Sequence, residues 1–209
     1  MPAPATIAPD KLAKLKLLGT AQCLNDNRRD PVRAEHPRLF PGARALTDAD
    51  MAPDALDRLT DTLSGRIVAI CAEGHGRSQG ISALLRIRGI AAEYLGGGCA
   101  AWRAAPLPSV DPGKITARDG QGRSVWVIRA RPIVDRIACP WLIRRFVDPR
   151  AVFLYVAPAE IASVAETYGA MPFFDVEDTF WSHRGELCTL DVMLAELGLR
   201  TRGSIGSPP

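Results

Sequence analysis

The group in this chain best suited to chemistry is Cys71, set in the run Cys71-Ala72-Glu73-Gly74-His75-Gly76-Arg77-Ser78. Arg66 to Ile70 read as a short apolar strand, Cys71 falls where that strand ends, and an amphipathic run from Ser78 onward reads as a helix. A thiol in that place faces the N-terminus of the next helix. The N–H groups of a tight glycine-rich loop and the positive end of the helix dipole both favour sulfur as an anion. Arg77 adds a fixed positive charge nearby. Such surroundings lower a thiol pKa and make cysteine a nucleophile at neutral pH. The plainer reading of a strand cysteine is a buried core side chain; the flanking loop tips the balance toward chemistry.

The loop is also long enough to surround a tetrahedral oxyanion, with Arg77 offering a two-pronged clamp to two of its oxygens. Phosphate, arsenate, sulfate and chromate share that shape and charge. Glu73, Gly74, His75, Gly76, Arg77 and Ser78 are therefore the candidate oxyanion-binding set around Cys71. Ester hydrolysis would need a general acid, for which Glu73 and His75 are the local candidates. His75 reads equally as an exposed loop residue.

A second set of polar residues lies further on. Arg136, Arg144 and Arg145 sit in a segment otherwise rich in apolar residues: Ile137, Trp141, Leu142, Ile143 and Phe146. A half-buried arginine needs an anionic partner, which Asp135, Asp148, Asp175 or a bound oxyanion could supply. A structural salt bridge is the simpler of these. His183 and Cys188, with Glu186 between them and Asp175 upstream, could hold a transition metal. The alternative is a core cysteine and a loop histidine. Cys139, beside Pro140 and Trp141, reads as buried.

The elements that must position these groups follow from the patterning. Asp10 can cap a helix carrying Leu12, Leu15 and Leu18, and the segment after Gly19 reads as a brief buried strand turning into a polar loop at Asn25. Phe40 to Ala43 form a turn, Leu46 lies in an extended piece, and Asp48 or Asp50 caps a helix with Leu56, Leu59 and Leu63 that ends at Gly65. A helix over about 79–88 carries Ile81, Leu84, Leu85 and Ile87 as its apolar side. A strand at 92–95 and a short helix at 99–104 complete the alternation. Residues 106–123, rich in Pro, Gly and small polar residues, read as a linker with a hairpin at Asp119-Gly120. Beyond it, 124–130 reads as a strand and 135–146 as a helix interrupted or begun near Pro140. A buried strand at 152–156, a helix at 158–168, a strand at 173–176 and a helix at 190–197 capped by Thr189 follow. Strands alternating with helices predict a parallel sheet, whose reactive groups gather at the carboxyl ends of its strands.

Composition narrows the function classes. The 209 residues are 47% hydrophobic and 23% charged, with a net charge of +3. That charge is too slight to argue for nucleic acid or a membrane surface, and neither a basic face nor a helix-turn-helix pattern is evident. No run approaches the ~20 apolar residues of a membrane span, and the N-terminus lacks a secretory pattern. Five scattered cysteines without a Cys-x-x-Cys pair suit a reducing cytoplasm.

Residues 9–105 resemble a rhodanese domain. Asp26 and Arg28 fall at that family's Asp-Val-Arg strand end, Phe40-Pro41-Gly42-Ala43 resembles its Ile-Pro-Gly-Ala turn, and Gly96-Gly97-Gly98 with Ala101-Trp102 resembles its closing Gly-Gly-x-x-x-Trp. The resemblance implies that Cys71 takes a sulfane sulfur from a small-molecule donor as a persulfide and passes it to a thiophilic acceptor, with no cofactor required. The loop is one residue longer than in an ordinary single-domain rhodanese. Its Cys-x5-Arg-Ser spacing is that of cysteine-dependent phosphatases, which keeps a phosphatase or oxyanion reductase open as an alternative.

Residues 124–199 resemble the C-terminal domain of the chromate resistance protein family. The likeness runs through RARPIVDRIACPWLIRRFVDPRAVFLYV, then PFFDV, then SHRGELCTLDVML. It implies a link to chromate resistance or its regulation, and leaves open a non-catalytic oxyanion sensor working through Arg77 or Arg144 and Arg145. That family usually continues with further helix, whereas residues 200–209 here read as a disordered tail, which implies a shortened core. The expected fold class is α/β: a rhodanese-like parallel sheet flanked by helices, then a second, smaller α/β or α+β domain.

Overall fold

Short apolar runs that alternate with helical periods bury both faces of a parallel sheet. The computed structural model holds two such sheets and describes residues 5–18, 22–60, 65–115, 117–131, 134–173 and 180–199. The chain divides into two compact units between Leu107 and Pro108. The expected Leu63, Asp175 and Val176 positions and the 200–209 tail lie outside the described residues.

The first unit runs β1 (Thr6–Ile7), α1 (Pro9–Leu18), β2 (Gln22–Asp26), α2 (Asp30–Glu35), β3 (Ala43–Ala45), α3 (Pro53–Thr60), β4 (Arg66–Ile70), α4 (Gly76–Ile87), β5 (Ala92–Leu95) and α5 (Gly98–Ala104). Its sheet has the order β1-β5-β4-β2-β3, every pair parallel. β4 is the central strand. Val68 and Ile70 pack on one face with Ile7, Leu12, Phe40, Leu95 and Trp102, while Ile67 and Ala69 pack on the other with Leu46, Ile81, Leu85 and Ala92. Fully burying a Val or Ile side chain stabilises by about 1.5–3 kcal/mol, so both faces of β4 anchor the residue that follows it, Cys71.

Three expectations change here. α4 begins at Gly76, not near 79, because the left-handed Gly74 (φ +73°) completes the turn early and leaves Gly76 and Arg77 in the first helical turn. Its buried face is Ser78, Ile81, Ser82 and Leu85, whereas Leu84 and Ile87 are exposed. The helical period puts 78, 81, 82 and 85 on one side, and Ser82 Oγ satisfies itself on the Glu93 carbonyl at 2.8 Å. The run expected to become a polar loop at Asn25 stays in β2 through Asp26 and is buried through Arg28. Burial is tolerable because Arg28 donates Nε and Nη2 to Asp26 at 2.9 and 2.7 Å and reaches the His36 and Arg38 carbonyls at 2.7 and 3.1 Å.

The second unit contains β6 (Val125–Arg129), α6 (Val134–Leu142), β7 (Val152–Val156), α7 (Ile161–Tyr168), β8 (Met171–Phe173) and α8 (Thr189–Glu196). Its sheet is β7-β6-β8, again all parallel. Pro140 lies inside α6, which opens into a wider turn over Ile143–Val147, with Asp148 N–H donating to the Ile143 carbonyl at 2.8 Å. β7, expected to be buried, is half-buried with Tyr155 exposed, because it is an edge strand paired with β6. Cys188, not Thr189, takes the cap position of α8, and Thr189 is buried in the first turn. Most of 106–123 is not a free connection: from Pro108 it belongs to the second unit, Val110 and Ile115 are buried, and Arg118 bridges Ser124. The hairpin turn is held by Asp119, whose Oδ1 accepts from the N–H groups of Gln121 and Arg123. Two apolar anchors among small residues suffice to order it.

Candidate functional site

Cys71 follows the last residue of β4 and is buried. The start of α5 fixes the backbone there: Cys99 N–H donates to the Cys71 carbonyl at 2.9 Å and Ala100 N–H to the Ala72 carbonyl at 3.0 Å. These are first-turn N–H groups that have no partner within their own helix. The approach leaves no room for side chains. A Cβ on Gly98 (φ +54°) would stand 2.4 Å from Gly74 N and 2.5 Å from the Cys71 carbonyl oxygen; one on Gly74 would stand 2.6 Å from the Leu95 carbonyl oxygen. Gly98 is therefore a positioning residue that the sequence marked only by its glycine triplet.

Cys71 Sγ lies 3.1 Å from Ser78 Oγ and 3.8 Å from the His75 carbonyl. Ser78 is fully buried in the first turn of α4, with His75 at the cap. Burial alone pushes the Cys71 thiol up. The Ser78 hydroxyl and the N–H groups of Ser78, Glu73 and Gly74 outweigh it and hold the thiol below its ordinary value. The loop thus brings the Ser78 hydroxyl and the N–H groups of Glu73, Gly74 and Ser78 to the Cys71 sulfur.

Arg77 is engaged elsewhere. Its Nε donates to the Asn27 carbonyl at 2.6 Å and its Nη2 to the Asp48 carboxylate. The expected clamp beside the sulfur is not formed in this arrangement, and hydroxyl and amide hydrogen bonds lower the thiol pKa. Asp48, a candidate helix cap by sequence, makes no side-chain cap and takes the Arg77 guanidinium instead. Glu73 and His75 are exposed, and the Gly74 carbonyl accepts from Gln79 Nε2 at 3.1 Å.

In the second unit the candidates are more dispersed. Arg136 is buried and donates Nη1 to the carbonyl of Arg131 at 2.7 Å, at a backbone turn with φ +83°. Arg144 lies over the Phe153 ring at 4.9 Å and Arg145 over Phe146 at 6.0 Å. Asp148 accepts from the N–H groups of Ser124 and Arg150 at 2.6 and 2.9 Å. His183 is exposed, its Nδ1 3.4 Å from Ser182 Oγ. Cys188 is exposed rather than a core residue, and its thiol donates to Asp191 at 3.1 Å. Among the described residues no three His, Cys, Asp or Glu side chains gather as a metal site. Cys139 is fully buried, and burial with nearby Asp135 and Cys188 pushes its thiol well up.

With this geometry in place, residues 126–205 match the family described as ChrB, C-terminal domain. The match begins in β6 and, for the residues the structure describes, lies in the second unit. Protein ChrB of Cupriavidus metallidurans is 39% identical over 90 residues, which are 42% of this chain and 26% of that protein. The chain thus spans about a quarter of the ChrB relative it matches. Among solved structures, a rhodanese-like domain protein from Staphylococcus aureus is 26% identical over 46% of this chain and 89% of its own, with a TM-score of 0.39. A rhodanese-related protein from Thermoplasma volcanium is 19% identical over 50% of this chain and 96% of its own, at 0.41. A Rhodopseudomonas palustris protein of unknown function, described as a possible tyrosine phosphatase, is 23% identical over 51% of this chain and 85% of its own, at 0.44. The parallel sheet of the first unit and the ChrB C-terminal match over 126–205 agree with the α/β fold class and with the second of the two resemblances that the sequence carries. No helix among the described residues is long and apolar enough to cross a membrane.

Proposed function

We propose that this chain is a rhodanese-type sulfurtransferase that carries sulfur as a Cys71 persulfide and serves or senses oxyanion stress such as chromate. The supporting observation is the buried Cys71 thiol, held low by the Ser78 hydroxyl and three loop N–H groups at the start of α4. The Cys71 thiolate attacks the outer sulfur of a donor such as thiosulfate. The sulfur–sulfur bond of the donor breaks, its electron pair leaves with sulfite, and Cys71 retains the sulfur as an anionic persulfide. A thiophilic acceptor such as cyanide then takes the outer sulfur and returns the thiolate. Charge balances in both steps, and neither uses a cofactor. The resemblance of the second unit to the chromate resistance family supplies the oxyanion context, with Arg136, Arg144, Arg145 and His183 as its candidate contacts. The free state of Cys71, Cys99, Cys139 and Cys188 suits a reducing cytoplasm.

Thiocyanate formation from thiosulfate and cyanide is expected for the wild-type chain and not for Cys71→Ser. Equal rates in the two would end this reading. The Cys-x5-Arg spacing favours hydrolysis of a phosphate ester as the second reading. It requires Arg77 to leave Asn27 and Asp48 and turn toward Cys71, so measuring ester hydrolysis and sulfur transfer on one preparation separates the two.

A further inference from the structure

Asn27 follows β2 as Cys71 follows β4. The β2–β4 ladder pairs Asn25 with Ala69 and Asp26 with Ile70, and it continues with Asn27 N–H donating to the Ile70 carbonyl at 2.7 Å. That register sets Asn27 level with Cys71, on strands about 4.8 Å apart. Ala69 belongs to the cluster under α4, and two residues on Cys71 meets Ser78 of α4. Paired residues of neighbouring parallel strands face the same side, so Asn27 shares this side with Cys71. Its side chain is fully buried, yet neither Oδ1 nor Nδ2 has a protein hydrogen-bond partner. Its backbone is committed, the carbonyl to Arg77 Nε and the N–H to Ile70. A buried carboxamide with both ends unpaired costs stability that an apolar side chain of the same size would not.

We propose that the Asn27 carboxamide binds the outer sulfur of the Cys71 persulfide, its Nδ2–H donating to the sulfur anion. This rests on the reading of Cys71 as a sulfur carrier and names the group that recognises the cargo. Ser78 and the loop N–H groups hold the inner sulfur, and Asn27 holds the transferred one. The ligand class is therefore a sulfane sulfur anion, small enough to sit between two strand ends.

The test loads the full chain with thiosulfate, follows the added sulfur by intact mass, and compares wild type with Asn27→Leu and Asn27→Asp. In Asn27→Leu the persulfide should be lost at least about tenfold faster and kcat/KM for thiosulfate should fall by a similar factor. The alkylation pH profile of its unloaded Cys71 should stay as in wild type, with a thermal midpoint equal or higher. Asn27→Asp keeps the shape but sets a carboxylate against an anionic sulfur, and it should load less than Asn27→Leu. Equal persulfide lifetimes in wild type and Asn27→Leu would overturn the proposal and leave the amide to a buried water. Should either variant fail to fold, the Asn27 side-chain amide resonance of the wild-type chain decides: it should move on sulfur loading. A loaded wild type with an unmoved amide overturns this inference alone. A wild type that takes up no sulfur removes the sulfur-transfer reading and this inference with it.

Discussion

Cys71 and Cys188 both stand at the N-terminal end of a helix, and their thiols move in opposite directions. Cys71, buried ahead of α4, is lowered despite its burial; Cys188, exposed at the cap of α8, is raised. Partial desolvation and the Asp191 carboxylate that accepts the Cys188 proton at 3.1 Å are responsible for the second, with Asp135 adding to them. At Cys71 no carboxylate fills that role, and four donors converge on the sulfur. A helix N-terminus is a modest advantage for an anion. The hydrogen-bonding neighbours decide whether it makes a nucleophile.

Breaking the comparison at its strongest point means removing the sulfur. Cys71→Ser should reduce thiocyanate formation by on the order of a thousandfold or more, while Cys188→Ser leaves it within about twofold, since Cys188 lies in the other unit. The next effect is on the frame. Gly98→Ala drives a Cβ into Gly74 N and the Cys71 carbonyl at positive φ and should cost about 3 kcal/mol or more in thermal unfolding. Gly185→Ala, just ahead of Cys188, has a similar φ of +57° but nothing within 4 Å of its Cβ, and should cost only about 1 kcal/mol. Similar losses at the two glycines would show that the Cys71 loop is not gripped as described.

Smaller changes sharpen the electrostatic half of the contrast. Ser78→Ala should slow sulfur transfer about ten- to a hundredfold by removing a hydrogen bond to an anion, and should raise the pH midpoint of Cys71 alkylation. Asp191→Ala should lower the alkylation midpoint of Cys188 and leave that of Cys71 in place. The smallest expected signal is in stability against pH. A thiol lowered in the folded state favours folding as pH rises from its folded midpoint toward its ordinary value of 9.0. Wild type should therefore gain on Cys71→Ser in that window and not below it. Cys188, being raised, has the opposite sign: its contribution is present below 9.0 and is lost as pH rises beyond it. Urea unfolding of the single variants at a series of pH values measures both slopes.

Much of the site was legible in the chain because it is local. A short apolar run ending in Cys71, a loop with two glycines, and a serine entering a helix are adjacent in sequence, and all meet within a few ångströms. The extent of α4 was less legible, since the positive φ of Gly74 draws two loop residues into its first turn. Burial of Asn25 to Arg28 was hidden altogether. A polar run enters a core only when distant groups satisfy it, and the carbonyls of His36 and Arg38 that receive Arg28 carry no mark in their side chains. The exposure of Cys188 is hidden for a related reason: it depends on what the second unit packs around it.

Local patterning was enough for the parallel α/β alternation, the place of Cys71 at a strand end and the likeness of the second unit to the ChrB C-terminal domain. Those follow from backbone sterics, apolar periodicity and a long matched stretch. Where the charges and amides go depends on the assembled fold. Arg77 adjoins the loop in sequence yet is claimed by Asn27 and by Asp48, 29 residues upstream, and Asn27 arrives beside Cys71 through strand register. Helices and strands form from contacts between near neighbours. The partner of a guanidinium or a carboxamide is chosen among every group the fold brings within hydrogen-bond reach.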